Sequence, residues 1–463
     1  MTIQHSIQHL HICTSAYLHT CQLTPDTRHF VSSRPMAEAR TVAFHTLGCK
    51  LNFSETSTLS RMLEKEGFEK KEFDDLADVY VINTCSVTEN ANKECRQIVR
   101  RIQRKSPESL VVITGCYAQL KPTEIASIPG VNLVLGAAEK FNIATHIKEL
   151  AKGDSAKICS CDVDEVTGFH SSYSIADRTR TFLKVQDGCD YNCSFCTIPL
   201  ARGKSRSDTI ENVLNNAKEL AAKGVKEIVL TGVNLGDFRA SANDDSVAGK
   251  KDKEDFFSLV KALENVDGIR RFRISSIEPN LLTNEIIEFV ANSDKFMPHF
   301  HIPLQSGSNK ILGLMRRRYR RELYADRVAL IRKLMPHCAI GVDVIVGFPG
   351  ETDAEFRETF DFIHSLDISY LHVFTYSERD NTHALTLKPV VSMNIRHDRN
   401  KTLRNLSYMK MQYFTQLHQG QTRKVLFESN DKSGMMEGYT DNYIKVATPY
   451  RAEWVNEIVD WKI

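Results

Sequence analysis

The sequence predicts an α/β chain in three parts: an N-terminal open parallel-sheet domain, a central partial (β/α)6 barrel and a small C-terminal β domain. Three observations carry this. From residue 41, short and continuously apolar strands such as "DVYVINT" and "SLVVITG" alternate with helical periodicity, as strands do when both faces of a parallel sheet are covered. After residue 177 a second series of six βα steps runs without a reversal, which suggests a partly closed barrel rather than a full eight-fold one. The tail then breaks into four short β-leaning runs separated by turn residues.

Residues 1–39 precede the first element and have neither a period nor the charged and apolar regions of a secretory signal. They are expected to be a disordered extension or to reflect an upstream start codon; Cys13 and Cys21 lie in them and enter no site. In the N-terminal domain, residues 40–150, "TVAFHTL" reads as a strand and "SETSTLSRMLEKEGF" as a helix with Ser54 at its N-cap. Strand "DVYVINT", helix "ANKECRQIVRRIQRK", strand "SLVVITG", a short helix near "PTEIASI" and strand "NLVLGA" follow. Residues 151–177 lose the rhythm and read as a linker. The barrel, residues 178–405, has strands "TFLKV", "KEIVLTG", "RFRISS", "HFHIPL", "GVDVIVG" and "YLHVFTY" with helices between them; the polar stretch 240–255 reads as a surface loop. Residues 391–420 read as helix, and "KVLFES", "GMMEGYT", "YIKVATP" and "VNEIVDW" as the strands of a β domain within residues 406–463.

With 463 residues, 42% apolar and 25% charged, the chain is long enough for several cores, and no apolar run is long enough for a membrane helix. A formal net charge of +2 means that any nucleic-acid binding comes from local patches. Twelve cysteines spread over such a length, without a secretory signal, argue for metal or redox chemistry in the cytoplasm rather than a disulfide scaffold.

Cys49, Cys85 and Cys116 each stand just past the carboxyl end of a predicted strand, in "TLGCKLN", "INTCSVT" and "ITGCYAQ". Loops at that end of a parallel sheet form its ligand crevice, so three thiols are expected to converge there on a soft metal or cluster. Cys95 and Cys338 are expected in the core, and the "CSC" at 159–161 is left without a role. In "GCDYNCSFCT", Cys189, Cys193 and Cys196 form C-x3-C-x2-C after the first barrel strand. A structural zinc site or a ferredoxin cluster takes four protein ligands, whereas three thiolates on a four-iron cube leave one iron open, as catalytic sites require.

This motif, with the aromatic Phe195 before its last cysteine, resembles that of the radical S-adenosylmethionine superfamily. From about residue 40 onward "FHTLGCKLNFSET", "VVITGCYAQ", "HIPLQSGSN", "DVIVGFPGET" and "GYTDNYIKV", with the motifs already quoted, are similar in order and content to the methylthiotransferases. The likeness is strongest to the branch acting on threonylcarbamoyladenosine beside the anticodon of tRNA. The resemblance implies a radical-SAM barrel, two [4Fe–4S] clusters, S-adenosyl-L-methionine and a C-terminal TRAM-like RNA-binding domain. The tail ending "VDWKI" is short for a complete module of that kind. It also implies that Cys189, Cys193 and Cys196 hold the cluster that cleaves the cofactor. Cys49, Cys85 and Cys116 would hold an auxiliary cluster that presents sulfur.

Putting a methylthio group on an aromatic C–H exceeds the chemistry of side chains, so a cofactor must supply it. By loop position and likeness, Phe195, Gly232, Glu278 and Gly347 would contact the cofactor. The implied partners are a tRNA anticodon stem-loop modified at position 37 and an electron donor such as a flavodoxin or ferredoxin; the sulfur donor is unknown. "RRRYRR" at 316–321 and the row Arg96, Arg100 and Arg104 with Arg101 are candidate phosphate contacts, although charge runs are usually solvated faces. Tyr439, Tyr443 and Trp454 are candidates for base stacking or for core positions. Rival readings are a methylthiotransferase for isopentenyladenosine or for a ribosomal protein and, from another class, a non-catalytic zinc- or cluster-bearing RNA-binding protein.

Overall fold

The computed structural model describes residues 40–86, 89–150, 155–175, 179–239, 254–428 and 434–463. The expected extension over residues 1–39 and most of the 240–255 loop lie outside them.

Six parallel strands make the N-terminal sheet: β1 (Thr41–Thr46), β2 (Glu69–Lys71), β3 (Val79–Thr84), β4 (Leu110–Gly115), β5 (Leu133–Leu135) and β6 (Lys157–Cys159). Their order is β2-β1-β3-β4-β5-β6. Helices α1 (Lys50–Lys65), α2 (Glu89–Lys105), α3 (Cys116–Leu120), α4 (Pro122–Ala126) and α5 (Ile143–Lys148) cover it. Leu59, Leu63 and Ile147 of α1 and α5 pack on one face, and Cys95, Val99 and Ile125 of α2 and α4 on the other. That two-sided cover is why β3 and β4 are buried along their whole length and carry no alternation.

Two local expectations change. The first helix does not start at Ser54: Gly48, at φ +100°, turns the chain straight out of β1, and α1 begins at Lys50 with Cys49 as its cap residue. Ser54 is buried inside the helix, its hydroxyl donating to Leu51 O at 2.8 Å. The stretch read as a linker supplies β6 at the sheet edge, with the Cys159 thiol buried and its Sγ 3.6 Å from His146 Nδ1.

Next come β7 (Ser172–Tyr173), β8 (Thr181–Lys184), β9 (Gln186–Asp187), β10 (Arg206–Ser207), β11 (Glu227–Thr231), β12 (Arg271–Ile274), β13 (His299–His301), β14 (Ala339–Val346) and β15 (Tyr370–Thr375). The barrel wall has the six expected strands. β8, β11 and β12 pair in parallel, β13, β14 and β15 likewise, and parallel bridges at Phe272–Phe296 and Ser276–His301 join the halves. Outside it lie α6 (Ile198–Arg202), α7 (Ile210–Ala222), α8 (Phe256–Glu264), α9 (Asn284–Asn292), α10 (Asn309–Leu314), α11 (Arg321–Leu334), α12 (Asp353–Ser365) and α13 (Met393–Leu417). Ile228, Phe272, Ile340 and Val342 face these helices in the main core, and Cys338 is buried there as expected. The alternate positions, among them Arg273, His299, His301 and Asp343, point into the lumen. Leu403 and Leu406 of α13 belong to the barrel core, so the expected boundary between residues 405 and 406 falls inside one helix.

Four antiparallel strands complete the chain: β16 (Thr422–Glu428), β17 (Met435–Thr440), β18 (Lys445–Pro449) and β19 (Ile458–Lys462), in the order β18-β17-β16-β19. The turn after β17 docks against the amino ends of the barrel strands. Arg271 Nη2 donates to Lys424 O at 2.6 Å and Arg273 Nη1 to Asp441 O at 3.1 Å, while the Tyr443 ring stacks on His299 at 4.2 Å.

A buried ionic cluster joins the N-terminal sheet to the barrel. Arg202 in α6 donates through Nη1 to Glu55 Oε1 (3.1 Å) and Asp187 Oδ1 (2.9 Å), and through Nη2 to Asn52 Oδ1 (2.7 Å). Lys140 Nζ adds a 2.6 Å bond to Glu55, and Lys184 Nζ lies 3.4 Å from the same oxygen. Burial alone would raise the Glu55 pKa, but Arg202, Lys140 and Lys184 outweigh it and hold the carboxyl well below its ordinary range. Removing one partner of a buried network leaves uncompensated charge, so Glu55→Gln is expected to lower stability by about 3–5 kcal/mol, read as a fall in the urea midpoint. Because the folded-state value is depressed, this contribution is fully present above the unfolded-state pKa near ~4.3 and is lost as pH falls towards the folded value. The wild-type and variant stability curves should therefore differ most at neutral pH, and their gap should narrow progressively as pH falls below about 4 towards the depressed folded-state value.

Candidate active site

The three-cysteine loop lies between β9 and α6, at the carboxyl end of the barrel strands. Its middle is clamped to the wall. Ser194 donates through N to Met315 O (3.1 Å) and through Oγ to Leu314 O (2.8 Å), and its carbonyl accepts from Ala384 N at 2.7 Å. Each sulfur accepts one N–H: Cys189 Sγ from Tyr191 N at 3.4 Å, Cys196 Sγ from Ile198 N at 3.4 Å, and Cys193 Sγ from Arg317 Nη1 at 3.1 Å. Burial pushes the Cys189 and Cys196 thiols up to about 12, and raises Cys193 against the pull of Arg317. Without metal these are protonated thiols; a bound metal would remove their protons outright. Phe195 braces the loop edge-on against buried Phe348, with centroids 6.3 Å apart.

Arg317 belongs to "RRRYRR", expected as phosphate contacts or a solvated face. Its side chain is instead 4% exposed, bonded to Cys193 and to Glu278. Arg318 covers the Tyr191 ring at 3.9 Å and donates to Asp190 O at 2.9 Å. Glu278 is thus placed beside Cys193, with its pKa raised by burial against the opposing Arg317.

The other three cysteines stand in the loops after β1, β3 and β4, which are neighbours in the sheet. Cys49 caps α1, Cys85 follows β3, and Cys116 opens α3, so two of the three thiols sit at helix amino ends, where partial positive charge favours an anionic group. Gly48 and Gly115 make the approach possible. At φ +100° and +96° both need glycine, and a Cβ on Gly48 would lie 2.5 Å from Cys85 Cβ, while one on Gly115 would lie 2.4 Å from Thr84 O. Burial raises the Cys116 pKa, with Arg202 opposing; Cys49 is exposed. Because α3 packs on α6, the helix after Cys196 lies against the helix that starts at Cys116.

A cavity of about 210 Å³ opens beside the three-cysteine loop. Phe195, Cys196 and Ile198 form one side, Gln305, Asp343 and Ile345 its floor, and Phe374 and Arg379 the far wall. Arg379 also donates to Ser86 Oγ at 2.8 Å, tying this wall to the residue after Cys85. Below the floor, Asp343 Oδ1 lies 2.9 Å from His301 Nε2, and His301 Nδ1 lies 2.7 Å from Ser276 Oγ. Sequence reading missed Arg379, His301, Asp343 and His372. For the three strand residues the available signal was a polar residue facing inward from an otherwise apolar strand, as in "HFHIPL" and "YLHVFTY"; Arg379, in the loop after β15, carried none.

The glycines expected near the cofactor are closely packed. A Cβ on Gly232 would meet Gln186 Oε1 and Leu235 Cδ2 at 2.9 Å, and the space opposite Gly347 is filled by Arg396, whose Cγ would lie 2.3 Å away. Gly347 N donates to Glu351 Oε2 at 2.6 Å, which also accepts from Arg399 at 2.7 Å. Tyr439 and Tyr443 stack on each other and beneath Arg180, and Trp454 stacks on buried Phe427, so the three aromatics occupy packed positions. Arg96 bonds Tyr117 Oη and Glu124, whereas Arg100, Arg101 and Arg104 are exposed.

Residues 183–363 match the radical SAM superfamily, and residues 41–136 match a family described as uncharacterized protein family UPF0004. The threonylcarbamoyladenosine tRNA methylthiotransferase MtaB of Bacillus subtilis is 40% identical over 433 residues, covering 91% of this chain and 93% of that protein. The chain belongs to the radical-SAM tRNA methylthiotransferases. The MtaB protein of Aquifex aeolicus is 38% identical over 88% of the chain and 96% of its own length. A tRNA-2-methylthio-N(6)-dimethylallyladenosine synthase of Clostridium botulinum is 31% identical over 84% of the chain and 86% of its own. In fold the chain is similar to the radical S-adenosylmethionine methyltransferase TsrM of Kitasatospora setae, with a TM-score of 0.52 at 17% identity over 73% of this chain and 75% of that one. As a radical-SAM methylthiotransferase it is an enzyme working with S-adenosylmethionine and iron–sulfur chemistry. Among the described residues no helix is long and apolar enough to cross a membrane.

The two thiol environments can be told apart without cofactor. In metal-free protein at pH 8, iodoacetamide is expected to alkylate exposed Cys49 more than about tenfold faster than Cys189 or Cys196, whose pKa values near 12 leave little thiolate. Site-resolved mass spectrometry reads the order, and equal rates would contradict it.

Proposed function

We propose that this methylthiotransferase acts on C2 of N6-threonylcarbamoyladenosine at position 37 of tRNA, next to the anticodon. The observation that carries the reading is two sets of three cysteines, each after strands of its own parallel sheet, with the helix after Cys196 packed on the helix that starts at Cys116. Support for the substrate is the 40% identity to a threonylcarbamoyladenosine enzyme against 31% to dimethylallyladenosine enzymes.

The donor sets fit two [4Fe–4S] clusters. Both are all-thiol, both lack a fourth cysteine, and the loop at Cys189, Cys193 and Cys196 aims one N–H at each sulfur, a contact that tunes cluster potential. When bound, such clusters supply an open iron for the cofactor's methionine end, a reducing electron, and at the auxiliary site the sulfur to be methylated. Cys49, Cys85 and Cys116 would hold the auxiliary cluster. Phe195 and Glu278 shape the cofactor side of the cleft, Glu278 being anchored by Arg317. Arg379 and Gln305 line the cavity opposite Cys196, where the base would enter from the cleft.

In this reading residues 40–150 carry the auxiliary site, the barrel with α13 is the radical core, and the strands from β16 onward form a TRAM-like RNA-binding module. A low-potential one-electron donor such as a flavodoxin or ferredoxin serves the core. The tRNA substrate implies the cytoplasm.

Anaerobic reconstitution of Cys85→Ala is expected to lower iron from ~8 to ~4 per chain, stopping methylthio transfer while sparing some S-adenosylmethionine cleavage. Cys193→Ala should abolish cleavage. Equal loss of cleavage in both variants would contradict this division. Nucleoside mass spectrometry of tRNA from a deletion strain tests the substrate: persistence of the methylthio form of threonylcarbamoyladenosine would sink it.

A further inference from the structure

A second cavity, of about 100 Å³, lies where the N-terminal sheet domain meets the barrel, and no cysteine lines it. Lys140 and Phe141 form its N-terminal side, and Lys184, Asp187 and Arg206 its barrel side. The segment from Glu165 to His170 closes it, with the His170 ring stacked on Phe141 at 4.4 Å. Two of the lining cations are almost wholly enclosed: the side chains of Lys140 and Lys184 are 6% and 1% exposed.

Charge is not balanced here. Lys140, Lys184, Arg202 and Arg206 form one cluster, and among the described residues their ion pairs are with two carboxylates, Glu55 and Asp187. Four cations thus share two anions. Hydrogen-bond donors are in surplus as well. Lys140 Nζ gives one N–H to Glu55 Oε1 at 2.6 Å, and Lys184 Nζ gives one to the same oxygen at 3.4 Å, out of three on each ammonium. Arg206 donates to Gly168 O, Arg202 O and Lys204 O and to Asp187 Oδ2, which leaves one of its five N–H groups. The rings of Phe141 and Phe169 lie 4.9–5.4 Å from the two ammoniums; such faces attract a cation but bring no counter-charge. Water in the cavity would take the hydrogen bonds and leave the charge.

We propose that this cavity is a binding site for one small tetrahedral oxyanion of the phosphate class. Its volume is that of about three waters at ~30 Å³ each, which suits a single phosphate group and not a whole nucleotide. The acceptor oxygens of such an ion take up the remaining N–H groups of Lys140, Lys184 and Arg206 in charge-assisted bonds. Because Lys140 comes from the N-terminal domain and the other two from the barrel, the ion ties the two together beside Arg202. The same chemistry is carried by free phosphate and by a phosphodiester of bound RNA.

The test uses full-length reconstituted holoenzyme, so that any cluster charge is in place, with inorganic phosphate as probe and chloride at matched ionic strength as control. Equilibrium dialysis is expected to find roughly one phosphate per chain, and Tm to rise saturably by about 2 °C or more. Thr167 is exposed at the cavity rim, so changing it leaves the buried cluster intact. Thr167→Glu brings a carboxylate to the site and should weaken phosphate binding about tenfold or more, the scale of one charge-assisted hydrogen bond, whereas Thr167→Gln should keep it. A wild type that responds to phosphate no more than to chloride overturns the proposal and needs no variant. Wild-type phosphate affinity in Thr167→Glu overturns it too. Adding an anticodon stem-loop RNA separates the two sources, and either result supports the site: displacement of the bound phosphate makes an RNA phosphodiester the occupant, and retention makes it the free ion.

Discussion

The guanidinium of Arg202 fixes the relation between the two halves of the site. It lies one short helix beyond Cys196, and its two nitrogens reach Asn52 and Glu55 in the helix that begins just after Cys49. Asn52 passes the constraint on: its Nδ2 donates to Leu47 O at 2.7 Å and to Thr84 O at 3.0 Å, the residues flanking Gly48-Cys49 and Cys85. One side chain of the barrel therefore registers two of the three cysteine loops of the other sheet. Buried ion clusters are poor sources of net stability, because desolvation offsets much of the attraction. Their value here is orientation, since a sheet shifted against the barrel would leave Glu55, Lys140, Lys184 and Asp187 without partners. An apolar interface of the same area would tolerate sliding.

The barrel is completed from outside itself. α1 packs along β7 and β8, with Phe53 6.5 Å from Phe182, while the turn after β17 covers the amino ends of the barrel strands through Tyr443 and the bonds from Arg271 and Arg273. A six-stranded wall open on one side can take a large substrate, but its polar interior then needs partners from neighbouring parts of the chain. The paired charges of the lumen are those partners. This gives the small β domain a structural duty in the barrel as well as any part it has in holding RNA.

The fold and the places of the cysteines at strand ends were legible because their signals are local. Apolar strands, helical periods and thiols at strand ends each need only a few neighbouring residues to be read. What escaped was set by pairing across long separations: Arg202 with Glu55, Arg379 with Ser86, Arg317 with Cys193. "RRRYRR" shows the limit well, because its five arginines look alike in sequence, yet Arg317 is buried at a sulfur while Arg316 and Arg320 face solvent. Ser54 misled for the opposite reason. It is a good cap by composition, but the glycine turn at Gly48 starts the helix sooner and leaves Ser54 inside.

The two cysteine sets also differ in a way that suits unequal tasks. At Cys189, Cys193 and Cys196 the sulfurs are enclosed, each accepts an N–H, and Phe195 and Phe348 exclude water from one side, which favours confining a reactive species and fixing a potential. At the other set, helix amino ends supply the favourable field and Cys49 is exposed. A group that must give up sulfur and be restored at each turnover needs such access, whereas one that only passes an electron does not. The turn that carries this exposed thiol is held in place by Asn52 and Arg202.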